Sequence, residues 1–199
     1  ARSGREVVIL EKNLIGEGAS TRNGGITSGN IRLSSRQLAR RFGPERAQTF
    51  IDESVAARAD LERFIEENKI NCDYQPVGRI VGLMGSFSSQ TIERDHNKFA
   101  DRYNIEPRLI SKSEMAEYTS SKKYDGGIYR PDIGGIHPAK FLHEMARLAI
   151  DAGVKIFSET PVTKIENHKT TFTLTTTQGK IKAQHLISVS YTHLTLPTI

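Results

Sequence analysis

The chain has 199 residues, 37% of them hydrophobic and 26% charged, with a formal net charge of +5 at pH 7. That length holds one full domain, or one domain with part of another, and the composition is that of a globular chain rather than a disordered one. A lone Cys72 excludes an internal disulfide and any multi-cysteine zinc centre, and no apolar run approaches the length needed to span a bilayer.

Residues 6–10 end in Val7-Val8-Ile9-Leu10 and read as a short buried parallel strand, closed by an acid, Glu11. Residues 13–32 are rich in Gly, Ser, Thr and Asn with no sustained period, which predicts a long functional loop. Helical spacing begins at Pro44 and runs to Asn68, with Phe50, Ala57, Leu61, Phe64 and Ile65 expected on the inner face. Between 72 and 84, Tyr74, Val77, Ile80, Val81 and Leu83 are broken by Pro76, Gly78 and Gly82, a pattern of strands and turns. A charged helix is expected over 88–103 and a short one over 111–118, the latter with Ser111 and Glu114 spaced as a capping box. Residues 126–135 read as a glycine-rich strand and loop.

From Pro138 an apolar stripe of Phe141, Leu142, Met145, Leu148, Ala149 and Ala152 predicts a helix that Gly153 closes, followed by a short strand over 154–157. A helix feeding a strand in this way is a β-α-β signature. Residues 160–165, 170–177 and 180–183 alternate apolar and polar, with Gln178-Gly179 turning the last two, so they predict a β-meander. Residues 185–189 are expected to begin another buried strand.

A buried strand ending on a carboxylate, followed by Gly18-Ala19-Ser20-Thr21-Arg22-Asn23-Gly24-Gly25, is the pattern by which dinucleotide-binding folds hold a ribose and a pyrophosphate. Many strands end on a surface acid; the loop behind Glu11 favours the ribose role. Glycines let a backbone approach a flat ligand, hydroxyls and N–H groups bind phosphate oxygens, and Arg22 adds charge. The G-x-G-x-x-G turn that precedes such a strand by about 20 residues is not in the sequence. His137 before Pro138 is read as structural, and His96, His143, His168 and His185 are too scattered for a metal site. Cys72 is read as a small buried residue, and 124–129 suits a core strand and a substrate-facing segment equally.

Taken in order, the acid-ended strand, the G-A-S-x-R-N-G-G loop, the insertion with Asn71-Cys72-Asp73-Tyr74-Gln75-Pro76, the Gly134-Gly135-Ile136-His137-Pro138 element, the helix, the strand and the meander resemble the flavoprotein family of D-amino-acid oxidase and sarcosine oxidase-like enzymes. The branch most resembled is that of the gamma-glutamylputrescine oxidases, over residues 6–188. The resemblance implies an α/β fold: a partial Rossmann-like FAD-binding domain with a β-meander and an inserted α+β substrate domain. The corresponding divisions are 1–71 and 135–188 for the FAD-binding domain and 72–134 for the insertion.

The resemblance also implies FAD as cofactor. Glu11 matches the ribose-binding acid and Lys12 the adjoining position near the adenosine. Ser20, Thr21, Arg22, Asn23, Gly24 and Gly25 match the loop along the pyrophosphate and flavin, and Val162 matches the position whose backbone pairs with the adenine edge. The implied reaction moves a hydride from a C–H beside an amine onto the flavin, giving an imine that hydrolyses, with oxygen as reoxidant. An amine or amino acid is the implied substrate, a gamma-glutamylated polyamine being one candidate, and no catalytic residue is assigned.

The first strand and the carboxyl-terminal half of the family pattern are not in the sequence, and residues 189–198 resemble an in-frame translation of a sequencing adapter. The chain is therefore expected to be a fragment truncated at both ends, inactive by itself, with a non-native tail at 189–199. The alternative is a non-catalytic or degenerate nucleotide-binding domain. A nucleic-acid role is set aside, because Arg36, Arg40, Arg41 and Arg46 lie with Glu45 and Lys122-Lys123 is only a pair, with no recognition motif. The lone cysteine fits a reducing compartment, and a cytoplasmic protein is expected.

Overall fold

Elements follow one another in the order β1 (Val8–Leu10), β2 (Ile26–Thr27), α1 (Ser35–Phe42), α2 (Pro44–Glu67), β3 (Arg79–Leu83), β4 (Arg108–Ser111), α3 (Met115–Tyr118), β5 (Gly126–Arg130), β6 (Gly134–Gly135), α4 (Pro138–Asp151), β7 (Lys155–Phe157), β8 (Val162–Asn167), β9 (Phe172–Thr176) and β10 (Lys180–Ala183). The structure is a computed structural model that describes residues 3–85, 96–98 and 100–189. The chain divides into two units, one made of Ala1–Arg22 with Leu142–Ile199, the other of Asn23–Phe141.

In the first unit β1 pairs in parallel with β7, Val8 opposite Lys155, Ile9 opposite Ile156 and Leu10 opposite Phe157. A parallel pair needs a crossover, and the helix expected from Pro138 supplies its last limb. That helix ends in a Schellman motif: Gly153 takes φ +86°, its N–H donates to Ile150 and Val154 donates to Ala149. The meander is present as β10–β9–β8, antiparallel throughout, with an irregularity between Val162 and Lys164. The Thr176 hydroxyl accepts from Gln178 and Gly179 and pins the turn between β9 and β10.

Two expectations fail here. β1 is not buried: Val8 is 37% and Ile9 43% exposed, because β7 is its one partner among the described residues and a parallel pair stays open unless both faces are covered. Residues 185–189 form no strand, and Ile187 and Val189 are more than four-fifths exposed. An apolar run becomes a strand only where a neighbouring ladder takes its N–H and C=O groups, and among the described residues none does.

The second unit carries an antiparallel sheet in the order β3–β5–β4, with β5 in the middle. Ile128 at the centre of β5 is fully buried, and Tyr124 lies across Gly82, where a Cβ would meet its ring at 2.6 Å. The segment 124–129 therefore serves the core. β2 and β6 pair Ile26 with Gly135, and Gln75 bridges the other side of Gly135.

α1 was not anticipated from the sequence. Its signal is the capping box of Ser34 and Gln37, each donating an N–H to the other's side chain. α2 runs as expected, but its inner face is rotated from the expected one. Ala47, Ile51 and Ile65 are buried, whereas Phe50 and Ala57 face outward, because α1 packs Leu38 against Ala47 and Ile51. Reciprocal bonds between Ser111 and Glu114 form as expected and lead into α3. The helix expected over 88–103 falls largely outside the described residues; 96–98 and 100–103 are helical.

Candidate functional site

Glu11 follows β1 directly and is held by its own backbone. Its N–H donates to Phe157 at 2.9 Å and its carbonyl accepts from Thr160 at 2.8 Å. The ladder of β1 and β7 thus fixes where the acid stands, at the carboxyl end of both strands. Oε1 accepts the Asn13 N–H at 3.0 Å, and Glu159 donates back to the Asn13 carbonyl. Oε2 has no protein partner among the described residues. The Thr160 bond also brings the start of β8, and with it Val162, to the same end of the strands. Lys12 is exposed beside the acid.

The loop behind Glu11 folds as successive turns, with Glu17 donating to Leu14 and Arg22 to Ala19. Gly16 takes φ +94°, and a Cβ there would meet Thr21 Cγ2 at 3.1 Å and Leu142 Cδ2 at 3.4 Å, so this glycine lets the loop close onto α4. The Thr21 hydroxyl donates to the Gly16 carbonyl. That proton is committed inside the loop, and Thr21 keeps acceptor capacity only. Ser20 and Arg22 are exposed, and Arg22 has no side-chain partner among the described residues. Glu11, Lys12, Ser20, Thr21, Arg22 and Val162 therefore all belong to the first unit, whereas Asn23, Gly24 and Gly25 belong to the second.

In the second unit Asn23 Oδ1 accepts the Gly25 N–H at 2.9 Å and closes a tight turn. Gly25 is buried at φ +64°, and a Cβ on it would lie 2.1 Å from the Ile136 carbonyl oxygen. Ile136 donates its N–H to the Gly25 carbonyl at 2.8 Å. Glycine at this position is demanded by the crossing of two backbones. Gly24 differs: only the Ile26 side chain comes within 4.0 Å of its Cβ position. Asn23 and Gly24 are exposed, next to an Ile26 that is 59% exposed. His137 is tied by its N–H to the Cys72 carbonyl, and its Nδ1 faces the Lys140 N–H at the start of α4, a structural post as expected.

Two groupings escaped the sequence reading. Arg130 and Asp132 form a buried ion pair, Nε to Oδ1 at 3.0 Å and Nη2 to Oδ2 at 2.5 Å. Arg130 Nη1 donates to Asn30 Oδ1, and its guanidinium lies 4.4 Å from the centre of the Tyr103 ring. The pair ties the loop after β2 to the end of β5. Its signal is the R-x-D spacing at a strand end, which puts both side chains on one face. The second grouping lines an open groove of about 700 Å³ between α2 and residues 70–76. There Tyr74 donates to Glu62 at 2.6 Å, and Arg58 pairs with the same carboxylate at 3.0 Å. Burial, reinforced by the Glu62 charge, pushes the Tyr74 phenol up to about 12, so it remains a proton donor at neutral pH.

A family model described as FAD dependent oxidoreductase matches residues 1–189. The probable oxidoreductase OrdL of Rhizobium meliloti (strain 1021) is 31% identical, over 94% of this chain and 44% of that protein. The gamma-glutamylputrescine oxidoreductase of Escherichia coli (strain K12) is 25% identical, over 98% of this chain and 45% of its own length. The chain thus spans less than half the length of these relatives. Among solved structures, glycine oxidase from Geobacillus kaustophilus superposes with a TM-score of 0.71 at 21% identity, over 92% of this chain and 48% of that one. An acid fixed at the end of a parallel strand, the turn-built loop behind it and a match along nearly the whole length make one conclusion: the chain belongs to the FAD dependent oxidoreductase family, a family of mixed α/β fold whose cofactor is FAD.

Proposed function

We propose that this chain forms the adenosine- and pyrophosphate-binding part of a flavoprotein that oxidises an amine or amino acid. The observation that carries the reading is the Glu11 carboxylate, held at the carboxyl end of β1 with Oε2 directed to no protein donor. A carboxylate so placed accepts hydrogen bonds from the two hydroxyls of a ribose. Lys12 and Arg22 add two exposed cations from the same unit. This donor set fits a diphosphate joined to a ribose.

Val162 begins β8 beside the Thr160 anchor, where its backbone is suited to an adenine edge. Asn23 and Gly24 present exposed backbone with no side chain in the way at Gly24, which suits close approach to a flat ring. FAD, when bound, supplies the hydride acceptor for oxidation of a carbon bearing an amine. The relatives' names support an amine or amino acid as substrate, with gamma-glutamylputrescine as the first to try.

The reading is tested on the purified protein by equilibrium dialysis against FAD, wild type beside Glu11→Gln. Loss of a charged acceptor weakens binding by roughly 10- to 100-fold. Equal FAD affinity in the two proteins would sink the ribose assignment. Substrate class is tested separately, by anaerobic bleaching of bound flavin across a panel of polyamines, gamma-glutamylated amines and amino acids. Bleaching by none of them would reject the amine reading.

A further inference from the structure

Asn23 and Gly24 make the single Asn-Gly step in the sequence. Such a step can rearrange by itself, because glycine offers the neighbouring side-chain amide a backbone nitrogen that no side chain shields. Both residues are exposed. A Cβ on Gly24 would come no nearer than 3.9 Å to any atom, and among the described residues its N–H donates to no protein acceptor. The nucleophile is therefore unshielded and uncommitted.

The electrophile is held in place. Asn23 Oδ1 accepts the Gly25 N–H at 2.9 Å, which folds the side chain forward over Gly24. When the Gly24 nitrogen adds to Cγ, negative charge develops on Oδ1, the atom that this N–H already faces. A donor fixed where charge appears lowers the barrier, because nothing has to reorganise as the charge grows. Gly25 is fixed in this sense: it is buried at φ +64°, and its carbonyl accepts the Ile136 N–H at 2.8 Å. The one Asp-Gly step, Asp125–Gly126, differs. The Asp125 carboxyl is held below the ordinary carboxylate range by its hydrogen bond to Lys112, so it stays ionised and is a poor electrophile, and Gly126 is buried in β5.

We propose that this fold makes Asn23 a site of spontaneous deamidation. The Gly24 N–H gives its proton to a solvent base, and the nitrogen forms a bond to Cγ. The Cγ–Nδ2 bond breaks, and the amide nitrogen leaves as ammonia with a proton from water. Water then opens the cyclic imide. Attack at Cγ gives aspartate, and attack at the main-chain carbonyl carbon gives isoaspartate; no electrons are transferred. Either product puts a carboxylate at position 23. Isoaspartate also inserts a methylene into the main chain beside Gly25, which the Ile136 backbone holds where it is. This chemistry needs no flavin and stands whatever the turn binds.

The test follows the purified full chain in mildly alkaline buffer, folded and in guanidinium chloride, by peptide mass. Trypsin releases residues 23–32 as one peptide, in which Asn30 is an internal control. Labelling by an isoaspartyl methyltransferase reads the rearranged product. The amide-to-acid mass gain is expected at Asn23 before any other asparagine, with label in the same peptide. It is expected to be faster in the folded chain than in the denatured one by roughly tenfold, the worth of one hydrogen bond to a charged oxygen. Gly24→Ala shields the nitrogen without a clash in the fold, and the mass gain is lost over the same interval. Circular dichroism verifies that this variant stays folded. The proposal is overturned by no mass gain at Asn23 in the folded chain, by a rate in denaturant equal to or above the folded rate, or by an unchanged rate in Gly24→Ala.

Discussion

Replacing Gly25 by alanine tests how the Asn23–Gly25 turn is held against the Ile136 backbone. The new Cβ would lie 2.1 Å from the Ile136 carbonyl oxygen, and the atom it meets is backbone, which cannot swing aside like the end of a side chain. The residue would also keep φ near +64°, a left-handed conformation that costs an L-residue about 1–2 kcal/mol. Relieving the clash means parting the two segments, which breaks the Ile136 N–H bond to Gly25 and removes about 1 kcal/mol more. The sum is about 2–3 kcal/mol, which at a urea slope of about 2 kcal/mol per molar lowers the midpoint by about 1–1.5 M. Tyrosine fluorescence reads mainly the right part of the chain: there is no tryptophan, and five of the six tyrosines, Tyr74, Tyr103, Tyr118, Tyr124 and Tyr129, fall within Asn23–Phe141. Gly24→Ala is the control, since its Cβ would come no nearer than 3.9 Å to any atom, and its midpoint should stay within about 0.5 kcal/mol of wild type. Matching midpoints for the two variants would refute the reasoning.

Other perturbations read other links of the structure. Arg130→Met strands the Asp132 carboxylate, whose side chain is 5% exposed, and should cost about 3–5 kcal/mol, while Arg130→Met/Asp132→Leu recovers most of it; a double variant less stable than the single would contradict the buried-pair account. Tyr74 should be the last tyrosine to ionise when phenolate absorbance is followed with pH. Its folded value, about 12, lies above the ordinary 10.0, so its contribution to stability is complete below pH 10 and disappears as pH rises towards 12. Tyr74→Phe removes both the late ionisation and that alkaline loss, and an unchanged titration curve would rule the assignment out. Ser34→Ala opens the capping box of α1 and should lower stability by about 1 kcal/mol, with faster amide exchange at Gln37; unchanged exchange there would argue against the box.

Local chemistry made much of this protein legible from its residues alone. Periodicity located α2, α4 and the meander, because burying one face imposes a period of 3.6 or 2 on the chain. Gly153 and the Ser111–Glu114 spacing marked termini, because orphan backbone groups admit few solutions. The acid after β1 and the loop behind it stand out by their order along the chain, from which the proposed ribose and pyrophosphate roles are read. Tertiary structure decided what depends on neighbours distant in sequence. Packing of Leu38 turned Phe50 outward and α2 with it. The Ile136 backbone makes Gly25 indispensable and leaves Gly24 open, a distinction invisible in a Gly-Gly pair. The Gly16 carbonyl takes the Thr21 proton that a phosphate could have used. Sequence fixes which groups a chain carries and the local turns they favour, whereas exposure, pairing and free valence at each group are set by whatever the fold brings alongside.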